Sequence, residues 1–267
     1  MSGTKKRNIF RTDCYDYPQY WDMSFRSETK LEADFIELAC RKYQLQTSCN
    51  RLLEPGCGGG RLVVEMAARG FQLCGLDSSR ASVEYLRKRL LRRCLTADVR
   101  VQDMTDFDLP APCDAAFCTF NTFRHLTSEN AARMHLRAVA RNLVAGGIYI
   151  LGFHLIPLDA EEIAIERWTA RHGRTKVTTT LRVVAFDRRK RLETLRFSLR
   201  VRSGDRDLRI VSEYPYRLYT ASQFRSLLKS VPEFELIEVY DFWYDINRPV
   251  KLSDEISDAV FILRKTS

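Results

Sequence analysis

The chain has 267 residues, 45% hydrophobic and 29% charged, and 43 Lys and Arg against 34 Asp and Glu leave a net charge of +9. An apolar fraction this high and this evenly spread excludes intrinsic disorder as the main state. No apolar run approaches the roughly 20 residues of a membrane helix. The charged start MSGTKKRNIF leads into no hydrophobic leader, so a cytoplasmic protein of enzyme size is expected.

In chain order, an aromatic opening (Tyr15, Tyr17, Tyr20, Trp21, Phe25) leads to a helical pattern in which Leu31, Phe35, Leu38 and Ala39 recur on one face. Short apolar runs then alternate with helical stretches. The runs are Arg51–Leu53, Phe71–Leu76, Val99–Val101, Asp114–Thr119 and Ile148–Phe153, and the predicted helices are 61–69, 79–93 and 128–143, the last stopped by Ala145-Gly146-Gly147. Such alternation predicts βαβ units and a parallel sheet.

Three long strands without an intervening helix follow, at Thr175–Phe186, Leu192–Arg202 and Leu208–Leu218. Phe197, Leu199 and Val201 share one face, and Arg196, Ser198, Arg200 and Arg202 the other. A helix at Ala221–Lys229 and a final antiparallel pair, Phe234–Tyr240 and Ala259–Leu263, complete the pattern. The expected fold is therefore α/β: a Rossmann-like doubly wound sheet, mostly parallel, with an antiparallel C-terminal hairpin and an antiparallel β insert. One domain is expected over 1–267, divided into a cover (1–48), a core (49–154), the insert (174–218) and a C-terminal part of the core (219–267).

Eight cysteines form no C-x-x-C pair, and four scattered histidines suggest no metal site, so free and mostly buried thiols are expected. The first core strand runs into Glu54-Pro55-Gly56-Cys57-Gly58-Gly59-Gly60-Arg61 and then a helix, a context in which glycines let backbone approach a ligand. The spacing is not G-x-G-x-x-G, because position 61 is Arg, and a phosphate loop would end in Gly-Lys-Ser/Thr. The acid ahead of the glycines suits a cationic ligand. Asp77 ends the second strand, where a carboxylate can accept ribose hydroxyls, and Asp103-Met104 ends the third, an acid and a soft apolar residue suited to adenine. The fourth opens into Phe120-Asn121-Thr122-Phe123. Successive strand ends thus converge on one crevice.

This ordered set resembles the class I S-adenosylmethionine-dependent methyltransferases of the small-molecule type, over about residues 48–154, with Leu143-Val144-Ala145-Gly146-Gly147 similar to the segment before that family's fifth strand. The resemblance implies S-adenosylmethionine as cofactor, with Gly56, Gly58 and Gly60 along its methionine part beside Glu54 and Cys57. It places Asp77 and Ser78 on the ribose, Asp103 and Met104 on the adenine, and Phe120 and Asn121 near the sulfonium. Tyr20 and Tyr15 would belong to a cover over the site, with Tyr15 on the substrate side. Trp243 and Tyr244, at the exit of a core strand, are further substrate-lining candidates. His125, just beyond the Asn121 loop, is the candidate general base.

A small-molecule N or O acceptor is the expected substrate. The loop at 120–123 lacks the Pro-Pro-aromatic pattern of DNA amine methyltransferases, and Pro112-Cys113 lies at the wrong end of its strand for carbon-5 chemistry. An RNA substrate held by the basic insert is the alternative, since Arg182–Arg217 holds eleven Lys and Arg against five Asp and Glu. A NAD-dependent oxidoreductase and a non-catalytic nucleoside-binding subunit are weaker readings.

Overall fold

The computed structural model describes residues 8–45, 48–157 and 165–266; the opening residues 1–7 lie outside them. The central sheet has seven strands: β2 (Arg51–Pro55), β3 (Gln72–Asp77), β4 (Asp98–Val101), β5 (Cys113–Cys118), β6 (Leu143–His154), β11 (Phe234–Tyr240) and β12 (Asp258–Lys265). Their spatial order is β11-β12-β6-β5-β2-β3-β4. The pairs from β6 to β4 are parallel, whereas β12 runs antiparallel to both β6 and β11. From β2 the chain moves outward through β3 and β4, then returns to β5 on the other side, and the crevice expected at such a reversal opens between β2 and β5.

Helices cover both faces. On one side α2 (Thr29–Tyr43), α3 (Arg61–Ala68) and α4 (Arg80–Arg92) bury Phe35, Ile36, Leu62, Val63, Val83 and Leu86 against the sheet. On the other, α5 (Glu129–Arg141) and α6 (Ala221–Lys229) bury Leu136, Val139, Phe224 and Leu227. Apolar side chains three and four residues apart explain both layers. The starts are fixed locally: Ser128 accepts from the Ala131 N–H, and Thr220 and Gln223 form a reciprocal capping box.

The second sheet has five strands in the order β1-β10-β9-β8-β7. They are β1 (Asn8–Arg11), β7 (Ile165–His172), β8 (Thr175–Asp187), β9 (Leu192–Ser203) and β10 (Arg206–Arg217). Three strands were expected. The edge strand β7 escaped notice because almost all of it is exposed and it has no apolar alternation, and β1 forms only by pairing in parallel with β10, some 200 residues away. The apolar face read at Phe197, Leu199 and Val201 is buried, packed on Cys14, Met23 and Phe25 of the N-terminal segment, which includes α1 (Pro18–Phe25). Polar staples reinforce it: Trp168 Nε1 donates to the Ser24 carbonyl at 2.9 Å, and Thr179 Oγ1 to Ser24 Oγ at 2.8 Å. A buried ion pair, Arg124 with Glu193, joins this sheet to the core, and Arg124 Nε also donates to the Arg217 carbonyl at 2.8 Å.

Two local readings are corrected. Helix α5 ends at Arg141 rather than 143, and Ala145-Gly146-Gly147 lies inside β6 as an irregularity between Leu143 and Ile148. Gly146 takes φ +74°, and a Cβ on Gly147 would stand 2.8 Å from the Asp114 carbonyl oxygen. Of the eight free cysteines, Cys94 is exposed and Cys49 half-buried; the other six are buried. Among the described residues no helix is long and apolar enough to cross a membrane.

His135 of α5 is fully buried, with Nδ1 2.9 Å from the Met104 carbonyl and Nε2 2.7 Å from the Tyr149 hydroxyl. Burial pushes it down to about 4, so it folds neutral. The unfolded chain binds this proton near pH 6.5 and the native chain near 4, so stability falls as pH drops through that window. The share from this ring is about 3 kcal/mol. Melting temperatures should therefore fall between about pH 6.5 and 5, above the range where most carboxylates titrate. His135→Gln should be less stable at neutral pH yet lose less over that interval; an unchanged pH slope would contradict this account.

Candidate active site

A cavity of about 1120 Å³ opens at the carboxyl ends of β2, β3, β5 and β6, larger than the roughly 300–1,000 Å³ of most single-ligand pockets. Its floor is the glycine loop. Gly56, Gly58 and Gly60 take φ of +71°, +52° and +70°, values that side chains resist. A Cβ on Gly56 would stand 2.3 Å from Thr122 Cγ2. The Gly58 N–H donates to Asp77 Oδ2 at 2.7 Å and the Ser79 N–H to Asp77 Oδ1 at 2.8 Å, so one carboxylate ties the tips of β2 and β3 together. Burial raises the Asp77 carboxyl above its ordinary range. Ser79 caps α4, its side chain accepting from the Ser82 N–H.

Glu54 is buried and its Oε2 has no hydrogen-bond partner. Burial pushes its carboxyl well above the usual range despite Arg61, whose guanidinium pairs with Glu32 at 2.6 Å. An orphaned buried carboxylate oxygen is costly and fits a cationic ligand group. Asp103 Oδ1 accepts from the Thr105 N–H and hydroxyl at 2.7 and 2.8 Å, beside Met104. These donors and acceptors fit the ammonium, ribose and adenine of S-adenosylmethionine.

At the tip of β5, Phe120 and Asn121 take φ of +65° and +69°, left-handed positions rare for non-glycine residues. Asn121 is held there by its N–H to the Gly152 carbonyl (3.1 Å) and by Oδ1, which accepts the His154 N–H (2.8 Å). This turns Phe120 into the cavity. His125 follows in a short 3-10 turn, with Nε2 2.9 Å from the Tyr15 hydroxyl and its ring 4.5 Å from that of Tyr216. Burial lowers His125 to about 4 and raises Tyr15 well above its ordinary range. The pair is neutral at physiological pH.

The cavity brings together Tyr15, Glu54, Gly56, Cys57, Gly58, Asp77, Ser78, Asp103, Met104, Phe120, Asn121 and His125. Four expected residues lie elsewhere. Gly60 packs on α4, where a Cβ would meet Leu86 Cδ1 at 2.1 Å. Tyr20 stacks on Tyr17, since Trp21, Asp22 and Phe25 occupy the cavity-facing side of α1. Trp243 is 80% exposed. Tyr244 is buried in the core, stacked on Phe242 and edge-on to Phe35. The lining residues that sequence reading missed include Thr122, Arg124, His154, Glu166, Trp168, Glu193 and Ser257. The insert residues carried no motif, but His154 ends an apolar strand, and its position there was a usable signal.

These contacts give separable affinities. Glu54→Gln should weaken S-adenosylmethionine binding about 10- to 100-fold, the effect of a charge-assisted contact worth roughly 1.5–3 kcal/mol, while methylthioadenosine, which lacks the amino acid, binds as before. Asp77→Asn should weaken both ligands. Calorimetric titration checks this, and equal losses of both ligands in Glu54→Gln would refute the placement.

A family model described as a methyltransferase domain matches residues 52–147. The dTDP-4-amino-2,3,4,6-tetradeoxy-D-glucose N,N-dimethyltransferase of Saccharopolyspora spinosa is 26% identical over 174 residues, 64% of this chain and 68% of that protein. A ubiquinone biosynthesis O-methyltransferase of Xanthomonas euvesicatoria is 28% identical over 55% of this chain and 64% of its own length. The chain thus spans about two thirds or less of the curated relatives it matches. In fold it is similar to an S-adenosylmethionine-dependent methyltransferase from Clostridium acetobutylicum, with TM-score 0.77 at 17% identity over 96% of this chain and 100% of that one. A sugar N-methyltransferase from a Streptoalloteichus species gives 0.74 at 16% identity over 100% and 98%. Residues 52–147 thus carry a methyltransferase domain, and the glycine loop and strand-tip acids in one crevice fit S-adenosylmethionine as its cofactor.

Proposed function

We propose that this enzyme methylates an amino nitrogen of a small polar acceptor, of the amino-sugar kind that the Saccharopolyspora relative's name describes. One observation carries the reading: the protein is basic, with a net charge of +9, yet the described lining of its cavity has eight carboxylates against three guanidiniums. A low-dielectric cleft of one sign concentrates ligands of the other. Amines enter such a cavity as ammonium ions, whereas RNA phosphates are repelled. The basic face of the insert lies on the outside, where Arg196 pairs with Glu213 and Arg200 with Asp207.

S-adenosylmethionine, when bound, supplies an electrophilic methyl group whose sulfonium charge disappears on transfer. The protein's own part is to bind, orient and exclude water. Glu54, Asp77, Asp103 and Met104 would hold the cofactor. Phe25, Trp168 and Phe197 wall the acceptor end with apolar surface, which dries the site. The neutral Tyr15–His125 pair orients the acceptor: with the His125 proton on Nδ1, the Tyr15 hydroxyl donates to Nε2, 2.9 Å away, and its oxygen can accept an N–H of the substrate amine. Because burial holds His125 down at about 4, it does not store a proton at neutral pH; it anchors Tyr15. Orientation of this kind underlies large effective molarities in transfer reactions.

Purified protein offered dTDP-linked amino sugars, free hexosamines, catechols and structured RNA should yield N-methylated amino sugar and S-adenosylhomocysteine. Methylation of the catechols or RNA alone would overturn the proposal. Tyr15→Phe should lower kcat/KM for the amine roughly three- to tenfold, one hydrogen bond's worth, and leave S-adenosylhomocysteine affinity within about twofold.

A further inference from the structure

A second histidine borders the cavity. His154 is the last residue of β6, and its register partner on β12 is Asp258. Imidazole Nδ1 lies 2.6 Å from Asp258 Oδ1, and the two side chains are 38% and 40% exposed. The ring is set between Phe120 (6.3 Å between centroids) and Phe242 (4.9 Å), and its backbone is fixed through Asn121, the residue in the strained turn. Among the described residues Nε2 makes no hydrogen bond.

The two cavity histidines differ in what they can do. His125 is enclosed, with its Nε2 engaged by Tyr15. His154 stands where the cavity meets solvent, with one nitrogen held by a carboxylate and the other unengaged. We propose that His154 and Asp258 form the proton-accepting dyad of the methyl transfer, taking the proton that the acceptor gives up and passing it to water.

This rests on the amine reading above. Asp258 accepts the Nδ1–H, which fixes the tautomer and leaves the lone pair on Nε2. An acceptor entering as ammonium loses one N–H bond, its proton goes to Nε2, and the electron pair stays on nitrogen as the nucleophile. The imidazolium, held by Asp258 at Nδ1, then passes the proton to water. Asp258 is the titratable group in contact with the ring; Tyr244, stacked on Phe242, lies behind it, and Glu166 lines the same cavity. Phe120 and Asn121 add no charge.

Nitrogen-15 NMR of histidine-labelled protein reads the tautomer without any acceptor. Wild type should carry its neutral proton on His154 Nδ1, and Asp258→Asn should lose that preference. With dTDP-4-amino-2,3,4,6-tetradeoxy-D-glucose as the acceptor probe, His154→Gln should lower kcat about 10²- to 10⁴-fold with KM within about threefold. S-adenosylhomocysteine affinity should stay within about twofold. An Nε2–H tautomer, or a His154→Gln enzyme that keeps its kcat, would overturn the proposal. Should the probe not turn over, the tautomer decides this inference alone, whereas a wild type that fails to bind S-adenosylhomocysteine would count against the cofactor reading instead.

Discussion

The site depends on one topological constraint. The chain leaves β2 for β3 on one side and returns to β5 on the other, so no crossover connection covers the seam between their carboxyl ends. The tips that border the seam carry the chemistry: the glycine loop on β2, Asp77 on β3 and the left-handed Phe120-Asn121 turn on β5. Asp77 shares its two oxygens between the Gly58 and Ser79 N–H groups, bracing the loop alongside the backbone bonds Cys57 N–H to Leu76 and Gly60 N–H to Cys57.

Electrostatics then separates inside from outside. Arg196 and Arg200 of the insert lie on its outer face beside Glu213 and Asp207, while the cavity collects carboxylates, some of them buried. Burying such groups is unfavourable unless a partner arrives. Glu32 has Arg61, and Glu193 has Arg124, but Glu54 keeps an unpaired oxygen, which makes it the position most fitted to a cation.

The cavity is closed over by two segments that need one another. The insert sheet has an apolar face that the core does not cover; the N-terminal segment covers it and brings Tyr15, Trp21 and Phe25 to the cavity. Arg89 ties that segment to the floor, donating to Asp22 at 2.6 Å and to the Gly59 carbonyl at 2.7 Å. The cover and the glycine loop are thus linked through one half-buried guanidinium.

Local chemistry wrote much of this into the sequence. Apolar periodicity set the alternating strands and helices, and the acids at strand ends marked the crevice, because a strand tip in a parallel sheet is determined by the chain around it. His154, at the end of the apolar run 148–153, was not read as a site residue, because nothing local to the chain shows that β12 brings Asp258 beside it. Other features depended on distant partners. Strand β1 exists only through its pairing with β10, and β7 sits exposed at the sheet edge without a pattern to betray it. Which face of α1 looks inward was decided by the insert packed against it, placing Trp21 rather than Tyr20 at the cavity. Tyr244 went to the core because Phe35 and Phe242 enclose its ring. The sequence by itself determined the sheet, the glycine loop and the acids at its edge, since each follows from neighbours in the chain. Tertiary structure alone decided which histidine meets Tyr15 and which stands beside Asp258, since packing and cross-strand register are properties of the assembled fold.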